Sequence, residues 1–167
     1  MRAFIFTCIA TLTLANLAVA EEQRIGFPSE YRTAYTNYLS LDRVQNPDQT
    51  IRLFANDIAM QGVRANGEFP DGSILVAEVY KAKKAADGKV LKSSLGRRIR
   101  DKFALIAVME KRAGWGADFA PGLRNGDWDF AAFKPDGSVA KKDLNGCRAC
   151  HSPLTDLRHV FSYEHLK

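Results

Sequence analysis

Cysteine is nearly absent from this chain of 167 residues: Cys8, Cys147 and Cys150 are the whole complement. Cys8 lies in an apolar run near the N-terminus. The remaining two are three positions apart, so no cysteine is left over for a structural disulfide elsewhere. Histidine is as sparse, at His151, His159 and His165. Charge is modest, with a formal net of +5, and no basic stripe with interleaved aromatics runs along the chain. Nucleic acid is therefore not an expected partner. Four long segments of helical apolar period are also missing, which excludes a four-helix bundle. No internal repeat or low-complexity segment is found.

What is present begins with Met1–Ala20. Arg2 supplies a small positive start, Ala3 to Ala15 is almost wholly apolar, and Ala18-Val19-Ala20 is a small-x-small cleavage pattern followed by Glu21-Glu22-Gln23. This reads as a secretory signal peptide. The apolar stretch is too short for a comfortable membrane span. The expectation is a signal over 1–20, one domain over 21–167, a periplasmic address and no membrane association after cleavage. Cys8 should leave with the signal.

Near the other end stands Cys147-Arg148-Ala149-Cys150-His151. C-x-x-C-H is the attachment signature of a c-type haem. Two thiols at this spacing can each form a thioether to one vinyl of the same porphyrin, and the adjacent histidine falls under the iron. One covalent haem c per chain is expected, with Cys147 and Cys150 as attachment points and His151 as proximal iron ligand. Two other chemistries share part of the pattern. A dithiol redox pair would expect a preceding βαβ unit, which is not found. Zinc would need His159 and His165 beside both cysteines, at spacings that fit the common zinc patterns poorly.

Tyr31, Tyr35, Tyr38 and Leu39 recur at helical spacing after Pro28-Ser29-Glu30, and Asn46-Pro47-Asp48 breaks the chain. A short strand is expected over Ile51–Ala55. A helix follows from Ile58 to Ala65, capped by Asn56 or Asp57 and ended by Asn66-Gly67. Strands are expected over Ser73–Tyr80, Lys102–Met109 and Asp127–Phe133, with a closing strand over Val160–Tyr163. A short helix should carry the haem motif. Lys81 to Lys92, with an Asp87-Gly88 hairpin signal, and the cluster Arg97, Arg98 and Arg100 read as solvated charge. Four to five short strands with short helices favour an α+β, mainly β domain: a curved antiparallel sheet with helices packed on it.

The run Ala55-Asn56-Asp57-Ile58-Ala59, then Phe69-Pro70-Asp71-Gly72-Ser73, Gly126-Asp127-Trp128, C-x-x-C-H-x-P and Val160-Phe161 resembles the cytochrome P-460 family. The resemblance spans most of residues 21–167. It implies a periplasmic monohaem protein, typically a homodimer, with histidine on one side of the iron and an open site on the other. Cytochromes P-460 proper oxidise hydroxylamine and carry a bond between a lysine and the porphyrin. The related cytochromes c′-beta lack that bond, have an apolar distal pocket and bind nitric oxide or carbon monoxide.

Counted from Phe-Pro-Asp-Gly, the lysine is expected near residue 77, where Ala77 stands. Lys81 is the cross-link candidate, four residues on and on the same strand face, but about 13 Å further along. Glu78, Asp127, Asp129 and Asp143 are candidate proton acceptors for hydroxylamine oxidation. Phe54, Phe103 or Phe133 would instead make a dry distal face that favours neutral diatomic ligands. The competing function is a six-coordinate electron carrier, with Met60, Met109, His159 or His165 closing the iron. Expected partners are a small nitrogen-containing ligand or substrate and a redox protein.

Overall fold

The computed structural model describes residues 23–167; the expected signal over 1–20 lies outside them. Five strands form one sheet: β1 (Thr36–Asp42), β2 (Gln49–Ala55), β3 (Ile74–Ala82), β4 (Arg100–Lys111) and β5 (Trp128–Phe133). They stand in chain order, each antiparallel to the one before, and the sheet is not closed. Three short helices accompany it: α1 (Tyr31–Ala34), α2 (Asp57–Asn66) and α3 (Asn145–His151). The architecture is the expected mainly β one.

Asn56 does much of the local organising. Its Oδ1 accepts from Ala59 N at 3.0 Å, which caps α2, and from Ile74 N at 3.1 Å, while its Nδ2 donates to Gly72 O at 2.9 Å. One side chain thus ties the start of α2 to the turn before β3. Gly67 ends α2 with φ +75°, a conformation that glycine adopts without penalty.

Strand alternation divides the apolar side chains between two faces. On one, Ala55, Leu75 and Trp128 meet Ala59, Met60 and Val63 of α2 and the C-terminal Val160, Tyr163 and Leu166. On the other, Phe54, Val76, Ile106, Val108, Ala131 and Phe133 pack with Ile25 and Tyr31 from the N-terminal segment. We call these the helix face and the N-terminal face. All six residues of β5 are buried. The helix face continues past α2 as a row of facing residues: Leu53, Ala77 and Ala107, then Ile51, Val79 and Leu105. All but Val79 are only half-buried. This leaves an aliphatic patch on the sheet.

Two expected elements differ. The tyrosine-rich helix stops at Ala34, and Tyr38 and Leu39 belong to β1. Leu39 pairs with Leu53, and the Tyr38 hydroxyl lies 2.8 Å from Ser162 Oγ. Strand pairing and long-range packing override the local helical spacing. Val160–Tyr163 forms no strand; the segment turns into a 3-10 helix, Tyr163–His165. Val160 and Tyr163, three apart, are buried in the α2 cluster, which suits a turn period and not a strand period.

Candidate haem-attachment site

α3 carries the motif, as expected, and is pinned by the residue between the cysteines. Arg148 is 1 % exposed. Its Nη2 and Nε donate to Asp129 Oδ1 at 2.7 and 3.2 Å, and its guanidinium lies 4.1 Å from the Phe119 ring centre. Nη1 reaches Asn145 Oδ1 at 2.8 Å. Asp129 is held in turn by Arg24 at 2.9 Å. The neighbouring Phe130 meets the His151 ring at 4.9 Å. Adjacent strand residues point to opposite faces, so α3 sits across the edge of β5. Arg148 reaches one side of the sheet and His151 the helix face.

His151 is oriented from behind. Its Nδ1 lies 2.8 Å from the backbone oxygen of His159. A carbonyl can only accept, so Nδ1 carries the proton and Nε2 is left as the metal-binding nitrogen. Burial pushes the imidazole's proton affinity down, against the opposing pull of that carbonyl, and Arg43 adds to the lowering. The ring is therefore neutral near pH 7, as an iron ligand must be. Phe130 and Phe161 flank it edge-on, at 4.9 and 5.0 Å. Cys147 and Cys150 are free thiols. Burial pushes the Cys147 thiol up, while Lys142 and Arg43 pull the other way.

The carbonyl of His159 is delivered by an unusual turn. Arg158 and His159 both have left-handed backbone, φ +52° and +63°, which costs about 1–2 kcal/mol per residue outside glycine. The turn is held by Trp128 Nε1 donating to Arg158 O at 3.2 Å, His159 N donating to Leu154 O at 2.7 Å and an Arg158–Glu68 ion pair at 2.8 Å. Gly126, itself at φ +58°, lies beside the His159 ring, whose Cδ2 and Nε2 are 3.6 and 3.7 Å from where a Cβ would stand, an ordinary packing distance.

The other sequence candidates fall elsewhere. Glu78 is wholly buried on the N-terminal face, bonded to Tyr31 Oη at 2.8 Å, Arg32 Nε at 2.7 Å, Tyr80 Oη at 2.9 Å and Arg52 Nη1 at 3.3 Å. Asp129 belongs to Arg148. Asp127 Oδ1 accepts from Gly116 N at 3.2 Å and Asp143 Oδ1 from Asn145 N at 2.9 Å. Phe54 and Phe133 face away from His151, on the N-terminal face. So does Phe103: Val79 faces Leu105 but Tyr80 faces Phe103. Ala104 is thus an extra, bulged residue that reverses the alternation, and Phe103 stacks on Tyr80 at 4.8 Å. These three rings pack in the N-terminal core and do not make the dry distal face expected of them.

Ala77 is at the centre of the half-open aliphatic patch, between Leu53 and Ala107. Lys81 is exposed, opposite Gln49 near the end of β3. Met60 is buried in the α2 cluster with Met109 packed against it. His159 stands on the Nδ1 side of His151, behind the metal-binding nitrogen. His165 is exposed. Among the described residues no group of three or more His, Cys, Asp or Glu gathers around a metal-sized space, so the zinc arrangement with His159 and His165 is not formed.

Sequence reasoning missed Arg148, Asp129's role as its partner, and the Arg158-His159 turn. A buried arginine inside a motif has no local signal, because the motif leaves that position unspecified. The family model described as Cytochrome P460 matches residues 28–162. No curated protein matches the chain.

Proposed function

The chain belongs to the cytochrome P460 family, a family of c-type haem proteins, and from that membership we propose a periplasmic monohaem cytochrome that binds nitric oxide and related small nitrogen ligands at an open iron site. Haem is attached through Cys147 and Cys150, with His151 Nε2 on the iron. The observation that carries the reading is His151 itself: neutral, fixed by the His159 carbonyl, with Nε2 free, on the sheet face that holds the half-open aliphatic patch. The patch residues Leu53, Ala77, Ala107, Ile51 and Leu105 offer an apolar bed suited to a porphyrin and to an uncharged gas.

Haem supplies the iron on which the small ligand binds. The chain's own contributions are orientation and exclusion. Arg148 and Asp129 fix the helix, His159 fixes the ring, and Phe130 and Phe161 pack edge-on against it. Ligand binding is favoured over hydroxylamine turnover by the remaining residues. Ala77 has no amine to link to a porphyrin, Lys81 is exposed, and Glu78, Asp127, Asp129 and Asp143 are each engaged in hydrogen bonds elsewhere. The electron-carrier alternative needs a sixth ligand, and Met60 in the core and His159 behind His151 are poorly placed to give one. We propose a homodimer as the working form, in line with the family resemblance.

Optical spectroscopy of the protein matured with haem in a bacterial periplasm tests this. The ferrous spectrum should shift on adding carbon monoxide or nitric oxide. A low-spin spectrum that ignores both would overturn the open site. Hydroxylamine oxidation with an artificial acceptor should be absent, and Lys81→Ala should leave the Soret band unmoved.

A further inference from the structure

The charge of this chain is not spread evenly. Residues 81–102 hold nine lysines and arginines against Asp87 and Asp101, a net +7 in a chain whose whole is +5. The rest of the molecule is therefore slightly acidic. A solvated edge was the expectation, but the structure gives this segment a fixed shape. Two tight turns, with Gly88 at φ +83° and Gly96 at φ +75°, fold it into three short passes. The passes hydrogen-bond to one another around a ring: Leu91 N to Lys83 O at 2.8 Å, Ile99 N to Leu91 O at 3.0 Å and Lys83 N to Ile99 O at 2.8 Å. The tip carries Leu95, 86 % exposed. Charges on a hydrogen-bonded arm are presented without the ordering cost that a loose loop would incur on binding.

The arm is stapled to the β1–β2 turn. Arg98 Nη1 donates to the carbonyls of Arg43, Asn46 and Gln49 at 2.8, 3.1 and 2.9 Å, and Ala82 N donates to Asp48 O at 2.7 Å. The arm begins at Lys81, two residues past Val79 on the strand face that carries the aliphatic patch. At the root of the arm a groove of about 310 Å³ is lined by Asp42, Thr50, Arg97, Arg98 and Arg100. Thr50 is 6 % exposed and its hydroxyl has no protein partner.

We propose that the 81–102 arm and the groove at its root are the docking surface for an acidic electron-transfer protein, guided to the rim of the haem-bearing face. The inference rests on the haem reading above. The partner's surface carboxylates meet the lysines of the arm, and one of them enters the groove, accepts from the Thr50 hydroxyl and sits beside Arg100. Leu95 supplies the apolar contact at the tip. A membrane of anionic lipid would also meet basic charge, but a single leucine is too little apolar surface to anchor the chain there. Charge steering of this kind changes association rates by 10–10³-fold and fades with salt.

The test uses the haem-loaded protein and a triple reversal, Lys83→Glu with Lys92→Glu and Lys102→Glu. None of these lysines makes an ion pair or side-chain hydrogen bond among the described residues, so the fold should tolerate the change. The control is Arg64→Glu with Lys167→Glu, on α2 and the C-terminal turn. An acidic blue-copper protein is the probe for affinity, by calorimetry, and for electron exchange, by stopped flow. Ferricyanide and tris(phenanthroline)cobalt(III) are small probes of opposite charge. The triple reversal should slow exchange with the blue-copper protein and ferricyanide at low salt by about 10-fold or more, and speed the cobalt complex. The control should change each rate by less than about twofold, and Thr50→Val should weaken affinity about threefold.

Equal effects from the reversal and the control would overturn the proposal. So would retention on phosphatidylglycerol vesicles with no binding of the blue-copper protein. Affinity for that protein is read by calorimetry whatever the haem content. A protein that binds it through the arm but takes up no haem would fail the functional reading and not the surface.

Discussion

Arg148 occupies the position of the haem motif that any residue is allowed to fill, and here it is buried against Asp129. Truncating one member of a buried pair strands the other charge, a cost of about 3–5 kcal/mol. Arg148→Met should therefore lower the urea midpoint sharply. Arg148→Lys should recover little of it, since an ammonium cannot make both bonds to Oδ1 or lie over Phe119 as a plane does. A lysine variant with wild-type stability would show that charge alone matters at this site. Glu78 is a second residue whose role was invisible in the sequence, where it read as a candidate base. Burial raises its carboxyl, but the hydrogen bonds from Tyr31, Arg32 and Tyr80 and the Arg32 charge outweigh that and hold it below the ordinary range. A depressed carboxyl stabilises the fold fully above its unfolded value, about 4.3. That contribution is lost as pH falls through the lower folded value. Melting temperature against pH should drop steeply below about pH 4 in the native chain. Glu78→Gln should be less stable by about 3 kcal/mol at pH 7 and flatter in acid; parallel curves would mean that Glu78 does not titrate with folding.

At the scale of elements, local signals were readable where one residue's own chemistry sets the backbone. The cap at Asn56, the αL stop at Gly67 and the helix carrying Cys147–His151 all follow from such residues. Elements decided by distant partners were not readable. Tyr38 is in a strand because β2 lies beside it, and Phe103 changes face because Ala104 is bulged, a shift of one residue that reverses the alternation. The Arg158-His159 turn is held in left-handed backbone by the Trp128 indole donating to Arg158 O and by His159 N donating to Leu154 O, which no local pattern announces. Gly62 offers a test in which propensity and packing disagree in sign. In a helix interior Gly→Ala stabilises by about 0.5–1 kcal/mol. At Gly62 a Cβ would lie 2.2 Å from Pro70 Cδ and 2.7 Å from the Glu68 carbonyl. The proline cannot move without opening the turn that Asn56 holds. Gly62→Ala should therefore destabilise, by about 1–3 kcal/mol in thermal or urea unfolding. A gain would show that the turn over Pro70 yields more easily than its hydrogen bonds suggest.

For the whole molecule, the two apolar clusters are complete without the cofactor, while the patch around Ala77 is not. Phe69, Trp128 and Tyr163 close the α2 side, and Tyr31, Phe54 and Phe133 close the other. Leu53, Ala77, Ala107, Ile51 and Leu105 lie on the same sheet, half-open to solvent, and no segment among the described residues covers them fully. Exposed contiguous apolar surface on a folded domain signals something that covers it, and His151 stands on that face. The covering group then adds to the stability of a fold that already exists, unlike the metal in a zinc finger, without which the chain does not fold. Cys147→Ser with Cys150→Ser, made without haem, should keep the strand signal in far-ultraviolet circular dichroism. It should bind a hydrophobic dye and melt at least about 10 °C below the haem-loaded protein, where 1 kcal/mol corresponds to roughly 2–4 °C for a chain of this size. Ile51→Asp with Leu105→Asp in that haem-free background should abolish the dye signal with little further loss of stability, because the patch has no packing to lose there. The same pair in the native background should prevent stable haem uptake. If instead the dye still binds after both aspartates are introduced, the exposed apolar surface lies elsewhere and the patch is not the bed for the porphyrin.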